Sequence, residues 1–131
     1  MNRIKKIFLR KILKTPSLLG KFGEWEGVKH FEKKGYELIA KNVTFKKIGE
    51  IDLIFIKDKN LYFVEVKTRK KVKNQFFKPE DSVGKEKKKK YHYMATLFVK
   101  KYNLSDFRVN FLTLSIELDQ DFNLYFEEIP F

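Results

Sequence analysis

Two segments on either side of a short turn, GEIDLIFI (49–56) and LYFVEVKT (61–68), are apolar at most positions. A strand with one wet face alternates apolar and polar residues, so runs like these belong to a sheet covered on both faces. That requirement predicts an α/β fold with helices available for each side. Glu50, Asp52, Glu65 and Lys67 interrupt the apolar pattern. A carboxylate taken out of water is costly unless it is paired or meets a cation, so the segments that confine the fold also carry its candidate chemistry.

The rest of the chain supplies the covers. Residues 3–13 place Ile4, Ile7, Phe8, Ile12 and Leu13 on one stripe of a short basic amphipathic helix. Thr15-Pro16 reads as the N-cap and first position of a second helix, which should run to about Lys34 and stop at Gly35. From Tyr36, YELIAKNVTF, GEIDLIFI and LYFVEVKT predict a three-stranded antiparallel meander with turns at 47–49 and 58–60. Residues 70–80 read as a basic loop, and Asp81 or Ser82 as the cap of a long helix to about Lys101, with Asn103 ending it. FRVNFLTLSIEL and NLYFEEI are two further strands. The predicted order is α-α-β-β-β-α-β-β, a central mixed five-stranded sheet flanked by helices. With 131 residues, 43% of them hydrophobic, the chain makes one domain with a real core.

Strand parity tests whether the charged groups can meet. A hairpin turn at Lys59-Asn60 pairs 58 with 61, so 54 faces 65 and 52 faces 67. Asp52, Glu65 and Lys67 then share one face at the end of the hairpin away from its turn. Glu50 lies one strand period from Asp52. On the second helix Glu24 shares the apolar stripe of Val28 and Phe31, whereas Glu26 points to the opposite side. Carboxylates with no neighbouring His or Cys select a hard, oxygen-preferring ion, Mg²⁺ or Mn²⁺, over zinc. The chain has no cysteine and only two histidines, which excludes thiol nucleophiles, iron–sulfur clusters and disulfides. The simpler alternative is an Asp52–Lys67 ion pair, with Glu65 met by a lysine from elsewhere.

Charge is distributed unevenly around a net +12. Residues 1–14 hold six basic groups and no acid, and 67–90 hold eleven against three, whereas 102–131 hold one against six. Such a field suits a polyanion, either nucleic acid or an anionic membrane surface. Arg69, Lys70 and Lys71, then Lys85, Lys87, Lys88, Lys89 and Lys90, are the candidates for backbone phosphates. Tyr91 and Tyr93 beside that run are candidates for base stacking, and Trp25 with most of the phenylalanines is assigned to the core. No apolar run approaches the roughly 20 residues a membrane-spanning helix needs. No signal-peptide pattern is present, so a cytoplasmic location is expected.

GEIDLI followed after a short hairpin by FVEVKTR (63–69) resembles the Asp…Glu-x-Lys core of the restriction-endonuclease-like nucleases. Together with Gly23-Glu24, Gly35-Tyr36, Asn42 and a Lys-led helix, residues 20–131 resemble the uncharacterised bacterial YraN family, itself similar to archaeal Holliday-junction resolvases. The resemblance implies a restriction-endonuclease-like fold. It also implies Asp52 and Glu65 as metal ligands, Lys67 as the catalytic lysine and Glu24 as an additional acid from the helix. Residues 1–14 have no counterpart in it. The expectation is therefore a single nuclease-like domain over 1–131, a Mg²⁺- or Mn²⁺-dependent endonuclease acting on DNA, branched or otherwise structured. Glu50 would be an outer contact of the metal, and there is room for a homodimer. The alternatives are a catalytically silent nucleic-acid-binding domain of the same fold, and a membrane-surface protein using the basic N-terminal helix.

Overall fold

The computed structural model describes residues 2–71 and 83–131. Helices α1 (Arg3–Lys14) and α2 (Pro16–Glu32) lead into strands β1 (Glu37–Phe45), β2 (Gly49–Lys57) and β3 (Asn60–Lys70). Helix α3 (Lys85–Lys101) and strands β4 (Arg108–Leu118) and β5 (Leu124–Pro130) follow. The strands form one sheet in the order β1-β2-β3-β4-β5. Every neighbouring pair is antiparallel except β3 and β4, which are parallel because the chain crosses over through α3 between them. This is the α/β order and mixed sheet expected from the sequence.

Local chemistry sets the helix ends. Pro16 opens α2 behind Thr15, but the Thr15 hydroxyl donates back to the carbonyl of Lys11 instead of capping the new helix. At the other end Gly35 adopts φ +88°, its N–H donates to Glu32 O, and the N–H of Tyr36 donates to Phe31 O, the Schellman closure that favours glycine. Helix α3 ends the same way: Asn103 has φ 55°, and Leu104 donates to Val99 O. Its expected caps, Asp81 and Ser82, and residues 72–80 of the expected basic loop lie outside the described residues; Gly84 occupies the N-cap position.

Each face of the sheet is covered by one helix. Ile54, Leu61, Phe63 and Phe111 pack with Tyr91, Met94 and Phe98 of α3. Leu53, Phe55, Val64, Leu112, Leu114 and Ile116 pack with Phe31 of α2 on the other side. Double coverage is what the largely apolar runs of β2 and β3 required. Among the described residues no helix is long and apolar enough to cross a membrane.

The β2–β3 register differs from expectation by two residues. Lys57 pairs with Asn60, Ile54 with Phe63 and Leu53 with Val64. The two-residue turn falls on Asp58-Lys59, where Asp58 takes φ 56°, a left-handed conformation that Asp tolerates. A shift of two preserves every side chain's face. It does change the partners: one step beyond the last pair, Asp52 stands beside Glu65 rather than Lys67.

Candidate active site

The sheet opens at its charged end. The β2–β3 ladder stops at Leu53–Val64, yet β2 stays paired with β1 as far as Gly49 and β3 with β4 as far as Lys70. Asp52 marks the fork. Ile51 belongs to the α3-side core and Leu53 to the α2-side core, although residues two apart on a regular strand share a face. The strand therefore rolls about Asp52. Asn42, which follows Lys41 and precedes Val43 on the paired strand, has φ 51° at the same level. As a result the Asp52 carboxylate points along the sheet toward β3, where Oδ2 accepts the Val66 N–H at 2.8 Å. A side chain has taken the place of a ladder carbonyl.

Glu65 sits across the fork and is only 3% exposed. Its Oε1 accepts from Lys87 of α3 and lies 3.4 Å from Lys67 Nζ. Its Oε2 is buried with no hydrogen-bond partner. Burial pushes the Asp52 carboxyl up to about 6; the Val66 N–H pulls the other way, and the charges of Glu24, Glu65 and Glu50 add to the rise. Burial likewise raises the Tyr91 hydroxyl, with the charges of Asp52, Glu65 and Glu50 reinforcing it. The fork is thus a partly desolvated concentration of negative charge, with two ammonium groups on its most buried member.

Helix α2 brings Glu24 within electrostatic reach by close packing at Gly23. A Cβ at that position would stand 1.7 Å from Thr68 Oγ1 on β3, so any other residue would hold the helix away. Glu24 is half-buried and Glu50 is exposed at the end of β2. Both act on Asp52 through their charge. Among the described residues no three acidic or histidine side chains stand as a ready metal-holding group.

Several sequence-predicted residues occupy unexpected places. Lys87, grouped with the phosphate-contacting lysines, turns inward onto Glu65, while Lys85, Lys88, Lys89 and Lys90 stay exposed. The lysine from elsewhere in the simpler ion-pair alternative is therefore present, though Lys67 is on Glu65 as well. Tyr91, a candidate for base stacking, is 2% exposed and packs edge-on against Phe111 and Phe131; Tyr93 is exposed. Lys87 and Tyr91 are four apart and share one helical stripe with Met94, Ala95 and Phe98, a periodicity that identifies both as inward-facing. Trp25, assigned to the core, is 62% exposed, because α2 turns Phe31 and its glycines to the sheet instead. Arg69, Lys70 and Lys71 line the end of β3 and the residue after it; Lys71 Nζ lies 3.8 Å from the Tyr125 ring centroid.

Comparison with known proteins finds relatives over half of the chain or more. The model of the uncharacterised protein family UPF0102 matches residues 23–116, which include Glu24, Asp52, Glu65, Lys67 and Lys87 but not α1. A UPF0102 protein of Clostridioides difficile is 36% identical over 99 residues, covering 76% of this chain and 84% of the relative. One from Caldanaerobacter subterraneus is 35% identical over 103 residues, 79% of this chain and 82% of the relative. One from Flavobacterium psychrophilum is 48% identical over 65 residues, 50% of this chain and 52% of the relative.

Proposed function

This chain belongs to the uncharacterised protein family UPF0102, the YraN family, and on that premise we propose that it is a metal-dependent nuclease that hydrolyses phosphodiester bonds in DNA. The observation that carries the reading is the fork between β2 and β3, with Asp52 and Glu65 on its two prongs and Lys67 beside Glu65. A purely structural sheet gains nothing from separating two central strands around carboxylates.

The residues fit a hard divalent cation, Mg²⁺ or Mn²⁺. The donors are carboxylate oxygens, Glu65 Oε2 is buried without a partner, and burial, with the neighbouring acids adding to it, raises Asp52 to about 6. Asp52 and Glu65 would hold the ion, with Glu24 and Glu50 at its margin. Such an ion supplies charge against the phosphate oxygens and acidifies a water.

The chain's own groups do the rest. In hydrolysis a water oxygen bonds to phosphorus, the bond from phosphorus to the sugar oxygen breaks, and the departing oxygen takes a proton. Lys67, held beside Glu65, aims its ammonium at the oxygens that gain charge at phosphorus. Lys87 balances Glu65 from the other side. Lys70 and Lys71, beyond Lys67 on the same stretch of chain, together with Arg69 and the exposed lysines of α3, follow the phosphate backbone without reading bases.

The test is cleavage of linear, single-stranded and four-way-junction DNA with Mg²⁺ or Mn²⁺, using the Lys67→Ala protein as control. Metal-dependent cleavage by the wild type alone supports the proposal. Binding to all three without cutting any of them leaves a silent nucleic-acid-binding domain.

A further inference from the structure

Helix α1 precedes the family-matched region and combines exposed apolar residues with cations. Leu9 is its buried residue, and α1 packs on α2. Ile4 is 73% exposed and Phe8 66%. They are four residues apart and so lie on one outward stripe. Trp25 of α2, 62% exposed, lines one groove with Phe8. Between the helices runs a groove of about 320 Å³ lined by Phe8, Ile12, Leu18, Phe22 and Trp25, with Lys11 and Lys21 at its edges. The helix carries Arg3, Lys5, Lys6, Arg10, Lys11 and Lys14 and no acid.

Single exposed apolar residues are ordinary, but a contiguous apolar stripe with a polar rim marks an interaction surface. Its chemistry discriminates among occupants. DNA rewards the cations but gives aliphatic side chains no place to leave water. A second copy docking by the same face would set its Lys5, Lys11 and Lys21 against the same cations of the first. An anionic bilayer rewards both features, because the apolar stripe enters the boundary between headgroups and acyl chains while the cations remain at the phosphates. We infer that α1 and the adjoining side of α2 form a docking surface for anionic lipid, in which Ile4, Phe8 and Trp25 enter the interface and Lys5, Lys11 and Lys21 meet the headgroups. The surface does not depend on the nuclease reading.

The test uses the full chain in a vesicle flotation assay at physiological salt. One set of vesicles is pure phosphatidylcholine and the other an equal mixture with phosphatidylglycerol. The wild type should float with the anionic vesicles only. The Ile4→Ser/Phe8→Ser protein changes two exposed side chains and should keep its near-UV circular dichroism, yet lose anionic-vesicle binding by about tenfold or more. No binding of wild type to anionic vesicles overturns the inference. Undiminished vesicle binding by the double variant also overturns it, by showing that charge alone acts. If the double variant instead loses duplex-DNA affinity, or dissolves a wild-type dimer seen in sedimentation, the stripe serves those partners and the lipid assignment fails.

Discussion

Among the described residues two carboxylates each lie between two basic side chains, and they differ in what surrounds them. Glu128 on β5 accepts from His30 Nε2 at 2.8 Å and from Lys34 Nζ, both through Oε2. No site acid is among the groups acting on it. Burial pushes its carboxyl up, but the hydrogen bonds and charges of Lys34 and His30 outweigh that and hold it below the usual range. His30 also stacks on Phe126 at 4.7 Å, so the trio pins β5 to the end of α2. Glu65 has Lys67 and Lys87, but it also has a buried unpartnered oxygen and Asp52 beside it. The first arrangement is balanced as it stands. The second has acid left over, which is the condition for admitting a cation.

The largest expected contrast is in catalysis. Asp52→Ala or Glu65→Ala should lower metal-dependent cleavage by about a hundredfold or more, because a ligand is lost. Lys67→Ala should abolish turnover while leaving Mn²⁺ uptake, read by calorimetry, nearly intact. Glu128→Gln should leave cleavage within about twofold of wild type in the same assay. If Glu128→Gln were as damaging as Asp52→Ala, the two clusters would not differ in the way argued.

Stability should move in opposite directions. Asp52→Asn keeps an oxygen for the Val66 N–H but removes a desolvated charge facing other acids. It should stabilise the metal-free protein at neutral pH by about 1–2 kcal/mol, read by urea unfolding. Saturating Mn²⁺ should narrow or reverse that gain, because the ion stabilises only the protein that binds it. A destabilised Asp52→Asn protein would mean that the fork is a structural network after all.

Binding separates the lysines of α3 in a further way. Neutralising Lys85, Lys88, Lys89 and Lys90 together should flatten the salt dependence of duplex-DNA binding by about one unit of log–log slope per lost phosphate contact. Lys87→Gln should change that slope by about one unit at most. Its ammonium is committed to Glu65, so its main effect should be tighter Mn²⁺ binding, measured by calorimetry. A slope unchanged by the fourfold variant would place the contact surface elsewhere.

How much of this was legible in the sequence follows from which forces are local. The element order and the double-covered sheet rest on period and parity, which survive a register shift of two. The register itself depended on whether Lys59-Asn60 or Asp58-Lys59 formed the turn, a choice decided by Asp58 accepting a left-handed conformation. The inward turn of Lys87 was readable from its stripe with Tyr91, but the density of lysines concealed it. The roll of β2 about Asp52, which aims the carboxylate along the sheet, arises from pairing with a β1 strand that bends at Asn42. That is tertiary information that neither strand carries alone. Trp25 was misplaced because its helix offers both an aromatic and a glycine face, and contact with Thr68 selected the glycines.

The smallest expected effect is also the most direct comparison of the two clusters, because their carboxylates should respond to pH with opposite sign. Asp52 has a raised folded-state value of about 6, so the folded protein holds its proton more tightly than the unfolded chain does. Its ionisation therefore removes stability as pH rises from about 4, its unfolded value, to about 6. Glu128 is held below its unfolded value. It contributes stability that is fully present above the unfolded carboxylate value and lost as pH falls through the lowered one. The contribution of this part-exposed group is at most about 1 kcal/mol. Urea midpoints across this range should therefore fall less steeply with rising pH in Asp52→Asn than in wild type. Glu128→Gln should lose its small deficit at the acid end, where wild-type Glu128 is protonated as well. Parallel curves for the two variants would show that the surroundings of Asp52 and Glu128 do not differ electrostatically, and the case for acid held in reserve at the fork would go with them.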